Sequence, residues 1–178
     1  MKMTGILIAA AMPALAQQTF DFKSLDKIGA NASGSTNITL EGDTLKLATS
    51  IFGGDTGPLK NLTGVYVRSF EFDKTGQYKD ADLAPLRAYV ASLKWNKVID
   101  TKEADERSEI YVKPLPDNKL GGLAIISAEP KEVAVVFING TLNMSDIPKL
   151  GGNLGIPELR YEHGGKKSDD SKDDSKKD

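Results

Sequence analysis

Four strand-like segments joined by very short connections constrain this chain more than any other feature. They are Lys97–Lys102, Glu109–Lys113, Leu120–Ala128 and Glu132–Ile138. Asp105, Pro116-Asp117-Asn118 and Glu129-Pro130-Lys131 supply the turns between them. Parallel neighbours need a crossover of about a dozen residues or more, so these segments pair antiparallel. The last two are nearly continuous in Ala, Ile and Val, which predicts that they lie at the centre of a sheet.

The segments ahead of this run extend the same pattern. Gly64–Phe72 (GVYVRSFEF) is dense in Val, Tyr and Phe and reads as a strand. Its two faces are Val65/Val67/Ser69/Glu71 and Tyr66/Arg68/Phe70/Phe72. Asp73-Lys74-Thr75-Gly76 makes a turn. Leu83, Leu86, Val90 and Leu93 then recur at helical spacing, with Asp80 or Asp82 as N-cap and Pro85 in the first turn. After Asn139-Gly140 closes the last strand, Ser145 caps a short helix, Asp146–Leu150, which Gly151-Gly152 ends. The resulting order is β-α-β-β-β-β-α. It predicts an α+β fold, a two-layer sandwich with a mainly antiparallel sheet and helices on one face.

Upstream, Gln17–Ser35 carries a weak helical pattern at Phe22, Leu25 and Ile28, and Thr36–Leu40 reads as a strand. The Glu41-Gly42-Asp43 turn leaves two readings open. One is a helix capped by Asp43 with Leu45, Leu47, Ala48, Ile51 and Phe52; the other is a hairpin through Gly42. The chain divides into a leader (1–16), an N-terminal extension packing on the domain (17–60), an α+β domain (61–160) and a tail (164–178). Lys166–Asp178 contains only Lys, Asp and Ser, so it has no apolar surface to offset the entropy of ordering and is expected to be disordered.

The leader carries the strongest functional signal. Lys2, the apolar run Gly5–Met12, the breaker Pro13 and Ala14-Leu15-Ala16 stand in the order of a cleavable signal peptide. The expected mature protein begins near Gln17 and is periplasmic or secreted in a bacterium. The run is shorter than the ~20 apolar residues a membrane span needs, and no later segment reaches that length.

Most familiar chemistries find no support. The absence of cysteine excludes disulfides, thiolate metal sites and thiol nucleophiles. With 23 basic and 25 acidic residues the chain has no nucleic-acid signature. His163 is the single histidine and sits beside the tail, a poor place for a triad base. Asp55-Thr56-Gly57 resembles an aspartic-protease motif but follows Gly53-Gly54 instead of an apolar strand and has no second copy. Asp73–Asp82 puts Thr75, Gln77 and Tyr78 where a calcium loop needs ligands and a glycine. The five Asn-x-Ser/Thr triplets, at Asn31, Asn37, Asn61, Asn139 and Asn143, read as turns, not glycan sites, in a bacterial protein. Gly121-Gly122, inside an apolar strand, predicts a bulge or a close backbone approach. No metal or other cofactor is expected.

Arg68 stands out because it lies mid-strand among aromatics. On a covered face it needs a carboxylate partner, and on an open face it suits a recognition surface. Tyr66, Arg68 and Phe70 are therefore the candidate binding residues.

Three blocks resemble a known family: Leu62–Phe72 (LTGVYVRSFEF), Gly121–Glu132 (GGLAIISAEPKE), and Lys149–Gly152 with Gly155-Ile156-Pro157. They resemble an uncharacterised bacterial envelope family, domain of unknown function 4252, from about Leu25 to Pro157. The resemblance implies export and supplies no reaction. Many members look like lipoproteins, and this chain lacks their lipid-bearing cysteine. The expected function is a non-catalytic binding or interaction module, whose partner is a protein or a small apolar ligand of the envelope. Two alternatives are a carrier of an apolar ligand between sheet and helices, and a hydrolase built on converging buried carboxylates.

Overall fold

The two most apolar strands set the plan, because both of their faces must be covered. The computed structural model describes residues 20–51, 57, 59–143, 145 and 147. In chain order the elements are α1 (Asp26–Gly29, entered through a 3-10 turn at Lys23–Leu25), β1 (Gly34–Glu41), α2 (Gly42–Ile51) and β2 (Leu62–Glu71). A 3-10 turn (Asp80–Leu83) leads into α3 (Ala84–Ser92), followed by β3 (Asn96–Glu103), β4 (Glu106–Leu115), β5 (Lys119–Glu129) and β6 (Glu132–Asn143). Among the described residues the strands form one antiparallel sheet in the order β1-β2-β6-β5-β4-β3. The fold is α+β, and β5 and β6 are central, as their composition requires. The ambiguity after Gly42 resolves as strand followed by helix.

One face of the sheet carries Tyr66, Phe70, Tyr111, Ala124, Ile126, Val135 and Phe137. It is covered by Leu25 and Ile28 from the α1 region, by Leu83 from the second 3-10 turn and by Leu86 and Val90 from α3. Phe20 enters this core and stacks on Phe137 at 4.1 Å between ring centroids. The expected helix stripe is buried at Leu83, Leu86 and Val90, with Leu93 partly buried. Its start differs in detail. Asp82 accepts the Lys79 backbone N–H at 3.0 Å, while Asp80 turns toward Arg87.

The opposite face is not left to solvent. Val65, Val67, Ile110, Val112, Leu123, Ile125, Val136 and Ile138 form a second apolar cluster, joined by Leu45 and Ala48 of α2. The helix layer foreseen on one face is therefore α1 with α3, and α2 serves the other. The reason is the apolar runs of β5 and β6, which present Ala, Val, Ile and Leu in both directions, with Val65 and Val67 of β2 extending the second face. The stretch read as an extension thus supplies an edge strand, a helix and core side chains.

Two glycines mark close approaches. The register of β5 against β6 shifts between Leu120 and Gly122. A Cβ at Gly122 would lie 2.7 Å from the Trp95 ring, so both readings of the Gly121-Gly122 pair are realised. β6 does not end at Asn139-Gly140. Gly140 adopts φ +119°, the strand continues to Asn143, and a Cβ there would meet the Asn61 oxygen at 2.5 Å. The leader, Asp55 and Thr56, the helix foreseen at Asp146–Leu150 apart from Ile147, His163 and the tail lie outside the described residues.

Candidate functional site

Two polar sites interrupt the apolar layers, and they differ in how charge is closed. The first is centred on Glu109, the one charged residue that is buried among the described residues. It points from β4 toward α3, on the face of Tyr111. Arg87 donates to it through Nε. Lys97 donates to Oε1 at 2.8 Å and the Tyr111 hydroxyl at 3.1 Å, and Arg107 lies 3.3 Å away. Asp80 and Asp100 complete the network by pairing with Arg87, Lys97 and Arg107. Three carboxylates thus meet three cations. Burial pushes the Glu109 carboxyl up, but the hydrogen bonds from Lys97 and Arg87 outweigh it and hold the group below its ordinary range. Asp100 is pulled down to about 2 by Arg107 and Lys97. A carboxylate held ionised with its oxygens occupied is a poor proton carrier, so the cluster reads as structural.

A cleft of about 380 Å³ opens beside this network, between the turn at 75–80 and the β3–β4 turn. Tyr78 lines it and donates its hydroxyl to the Glu129 carbonyl. Burial, with Asp80 and Glu129 nearby, raises the Tyr78 pKa to about 12.

The second site is built around Arg68. The β1–β2 register sets Asn37 opposite Arg68, and the 3-10 turn and α1 bring Phe22, Leu25 and Asp26 over them. With Phe70 these residues line a groove of about 280 Å³. The guanidinium carbon sits 4.4 Å from the Phe22 ring centroid, a cation–π contact. Nη1 donates to the Ile38 and Val67 carbonyls, each at 2.8 Å, and Nη2 donates to the Thr39 hydroxyl at 3.1 Å. Every one of these partners is neutral. A guanidinium has five N–H donors, so Nε–H and one Nη2 hydrogen remain without a partner among the described residues. Burial lowers the Arg68 pKa, and no carboxylate among the described residues pairs with it.

Of the three candidate residues, the structure brings Arg68 and Phe70 together in this groove. Tyr66 belongs to the core, 5% exposed, with its ring edge-on to Phe20. Burial raises the Tyr66 pKa, and a hydrogen bond with Glu41 adds to the effect. Phe70 is also buried and offers the groove only part of its ring. The face expected to be open is covered, and the accessible part of it is the strip at the β1 edge. Phe22, Leu25, Asp26 and Asn37 were not foreseen as groove walls, because strand pairing and helix placement bring them there. Glu109 carried a signal: an acid directly before the apolar run Ile110-Tyr111-Val112, with Arg107 and Tyr111 two residues away on either side.

Among the described residues no group of three His, Asp or Glu side chains is placed to hold a metal ion, and no helix is long and apolar enough to cross a membrane. Residues 29–150 match the family model described as Domain of unknown function (DUF4252), and the chain belongs to that family. No curated protein and no solved structure matches the chain.

Proposed function

We propose that this chain is an exported bacterial envelope protein that acts as a non-catalytic binding or interaction module, with the Arg68 groove as its contact site. The observation that carries this reading is the uncompensated charge of Arg68. The Glu109 cluster matches its charges one for one, whereas Arg68 has no partner among the described residues for two of its donors, beside an apolar wall. Such a pairing of a cation with aromatic surface suits recognition. The leader at residues 1–16 supports export. A carboxylate hydrolase would need a second buried acid near Glu109, whose neighbours are instead cations and a tyrosine. An apolar carrier would need a cavity without charge, and the groove and the cleft both contain charged walls.

The test has two parts. Mass spectrometry of the native protein should find a chain beginning at or near Gln17 in the periplasm or medium; intact Met1 in the cytoplasm would overturn export. A photo-crosslinking residue at Asn37 should give a discrete adduct in cells that Arg68→Glu abolishes. An equal adduct from exposed Lys113, on a distant strand, would overturn the site.

A further inference from the structure

We infer that the outer edge of β1 is a docking strand: an extended segment of a partner protein adds to the sheet beside β1 and places an acidic side chain against Arg68. The inference deepens the groove reading by naming the kind of partner and how it binds.

The two edges of the sheet are built differently. Sheet edges are normally protected by lysine, proline, bulges or inward charge. β3 has such protection. It carries Lys97, Asp100, Lys102 and Glu103, and its register against β4 shifts between Lys97 and Ile99. β1 has none of it. Its sequence GSTNITLE holds no lysine, arginine or proline, and its register against β2 runs unbroken from Gly34↔Glu71 to Glu41↔Gly64.

The hydrogen bonds reveal which β1 groups face outward. One Arg68 nitrogen reaches both the Ile38 and the Val67 carbonyl, so both oxygens point into the gap between β1 and β2. Ile38 and Val67 are therefore a hydrogen-bonded pair, and residues out of phase with Ile38 turn their N–H and C=O away from β2. Glu41 has that phase and confirms it. Its N–H and C=O bond the Thr44 hydroxyl instead of β2. Ser35, Asn37 and Thr39 share the phase and are exposed, and no strand among the described residues pairs with their outer side. The only charged residue of β1, Glu41, is thus also the one whose main chain is already engaged.

The same three residues direct their side chains to the groove face, since Ser35, Asn37 and Thr39 lie opposite Phe70, Arg68 and Tyr66. The Arg68 guanidinium reaches over β1 as far as the Thr39 hydroxyl. A strand added at the usual spacing of ~4.8 Å brings a side chain opposite Asn37 within reach of the two free donors. Main-chain bonds then supply affinity and the groove supplies choice of side chain. Charge complementarity selects a carboxylate, because the guanidinium has only neutral partners among the described residues. Asp26 on the opposite wall disfavours a second acid in the same segment.

The experiment uses the exported mature chain and two blocked peptides, Thr-Val-Thr-Glu-Thr-Val-Thr and its Gln counterpart, followed by amide hydrogen exchange and titration. The Glu peptide is expected to bind at least ~10-fold more tightly, as a charge-assisted hydrogen bond predicts. It should slow exchange at the Ser35, Asn37 and Thr39 amides. Asn37→Pro removes an outward N–H, a change tolerated on an edge, and should abolish binding with the melting midpoint retained. Ser35→Pro is the second variant should the first unfold. Arg68→Gln should erase the Glu preference and leave the edge protection. Binding that survives a folded proline variant overturns the edge and leaves the groove reading standing. A Glu preference that survives Arg68→Gln overturns the role of Arg68 in both. Absence of binding at millimolar peptide overturns the inference. So do amides already protected in the free chain, or a dimer that the proline variant dissolves, since the edge would then belong to this chain or a second copy.

Discussion

Replacing Glu109 by glutamine tests the reading of the ion network most directly. The substitution keeps the volume and removes one negative charge from a fully buried position surrounded by three cations. Removing one partner of a buried ion pair costs about 3–5 kcal/mol. Two features lower that figure here. The Arg87, Arg107 and Lys97 side chains are 16%, 27% and 36% exposed and keep part of their hydration, and Asp80 and Asp100 still pair with them. The expected loss is therefore about 3 kcal/mol, the low end of the range. For a domain of about 125 residues this lowers the melting midpoint by ~10–15 °C. Urea unfolding followed by the single tryptophan, Trp95, reads the change, because its ring packs in the same core. A loss below about 1 kcal/mol would show that the cations do not depend on Glu109 and would refute the argument. The double variant Glu109→Leu with Arg87→Leu should recover part of the loss, since it removes the charge left behind together with its partner.

Three further outcomes follow from the packing and the electrostatics. Leu86→Asp puts an unpaired carboxylate at a position with no solvent exposure and is expected to cost more than about 4 kcal/mol, seen as failure to fold cooperatively in circular dichroism. Phe20→Ala should cost about 3–5 kcal/mol in the same assay, since the ring stacks on Phe137 and meets Tyr66 edge-on. Glu109, Asp80 and Asp100 all have depressed pKa values in the folded chain, so the stability they confer is present above the unfolded values of 4.5 and 3.8 and is lost as pH falls through the folded ones. The melting midpoint should therefore hold at neutral pH and decline below about pH 4.5, and the decline should be shallower in Glu109→Gln; an equal slope in both proteins would contradict it.

The sheet was legible because short connections and β-branched runs act locally. Each of the four segments from Lys97 to Ile138 is a strand, and each extends beyond its sequence bounds by a residue or more at one or both ends. The Leu83/Leu86/Val90 stripe was equally legible, since its spacing alone fixes which side is buried. The position of β1 was not. Pairing of Asn37 with Arg68 joins residues 31 apart in sequence, and nothing in either segment encodes that register. The second covered face was missed for a related reason. Val65 and Val67 were assigned to one side of β2 correctly, but alternation does not reveal whether a helix lies beyond it. The groove required both pieces of information, so sequence isolated Arg68 without its surroundings and offered Tyr66, a core residue, as its companion.

Arg68 and Glu109 are both charged residues set mid-strand among apolar and aromatic neighbours, and the fold treats them oppositely. Glu109 meets three cations and a hydroxyl, and Arg68 meets two carbonyls, a hydroxyl and a phenyl ring. Neutral acceptors return only part of the hydration that a half-buried guanidinium gives up. Methionine at position 68 would retain contact with the Phe22 ring and lose the three hydrogen bonds, but it would also remove the desolvation cost. These terms are of similar size, so Arg68→Met is expected to change stability by no more than about 1 kcal/mol in either direction. The same variant should lose the preference for the acidic peptide. A retained fold with lost selectivity is what a recognition residue gives. A loss above about 2 kcal/mol would instead make the guanidinium a clasp between β1 and β2, and the functional reading of the groove would lose its support.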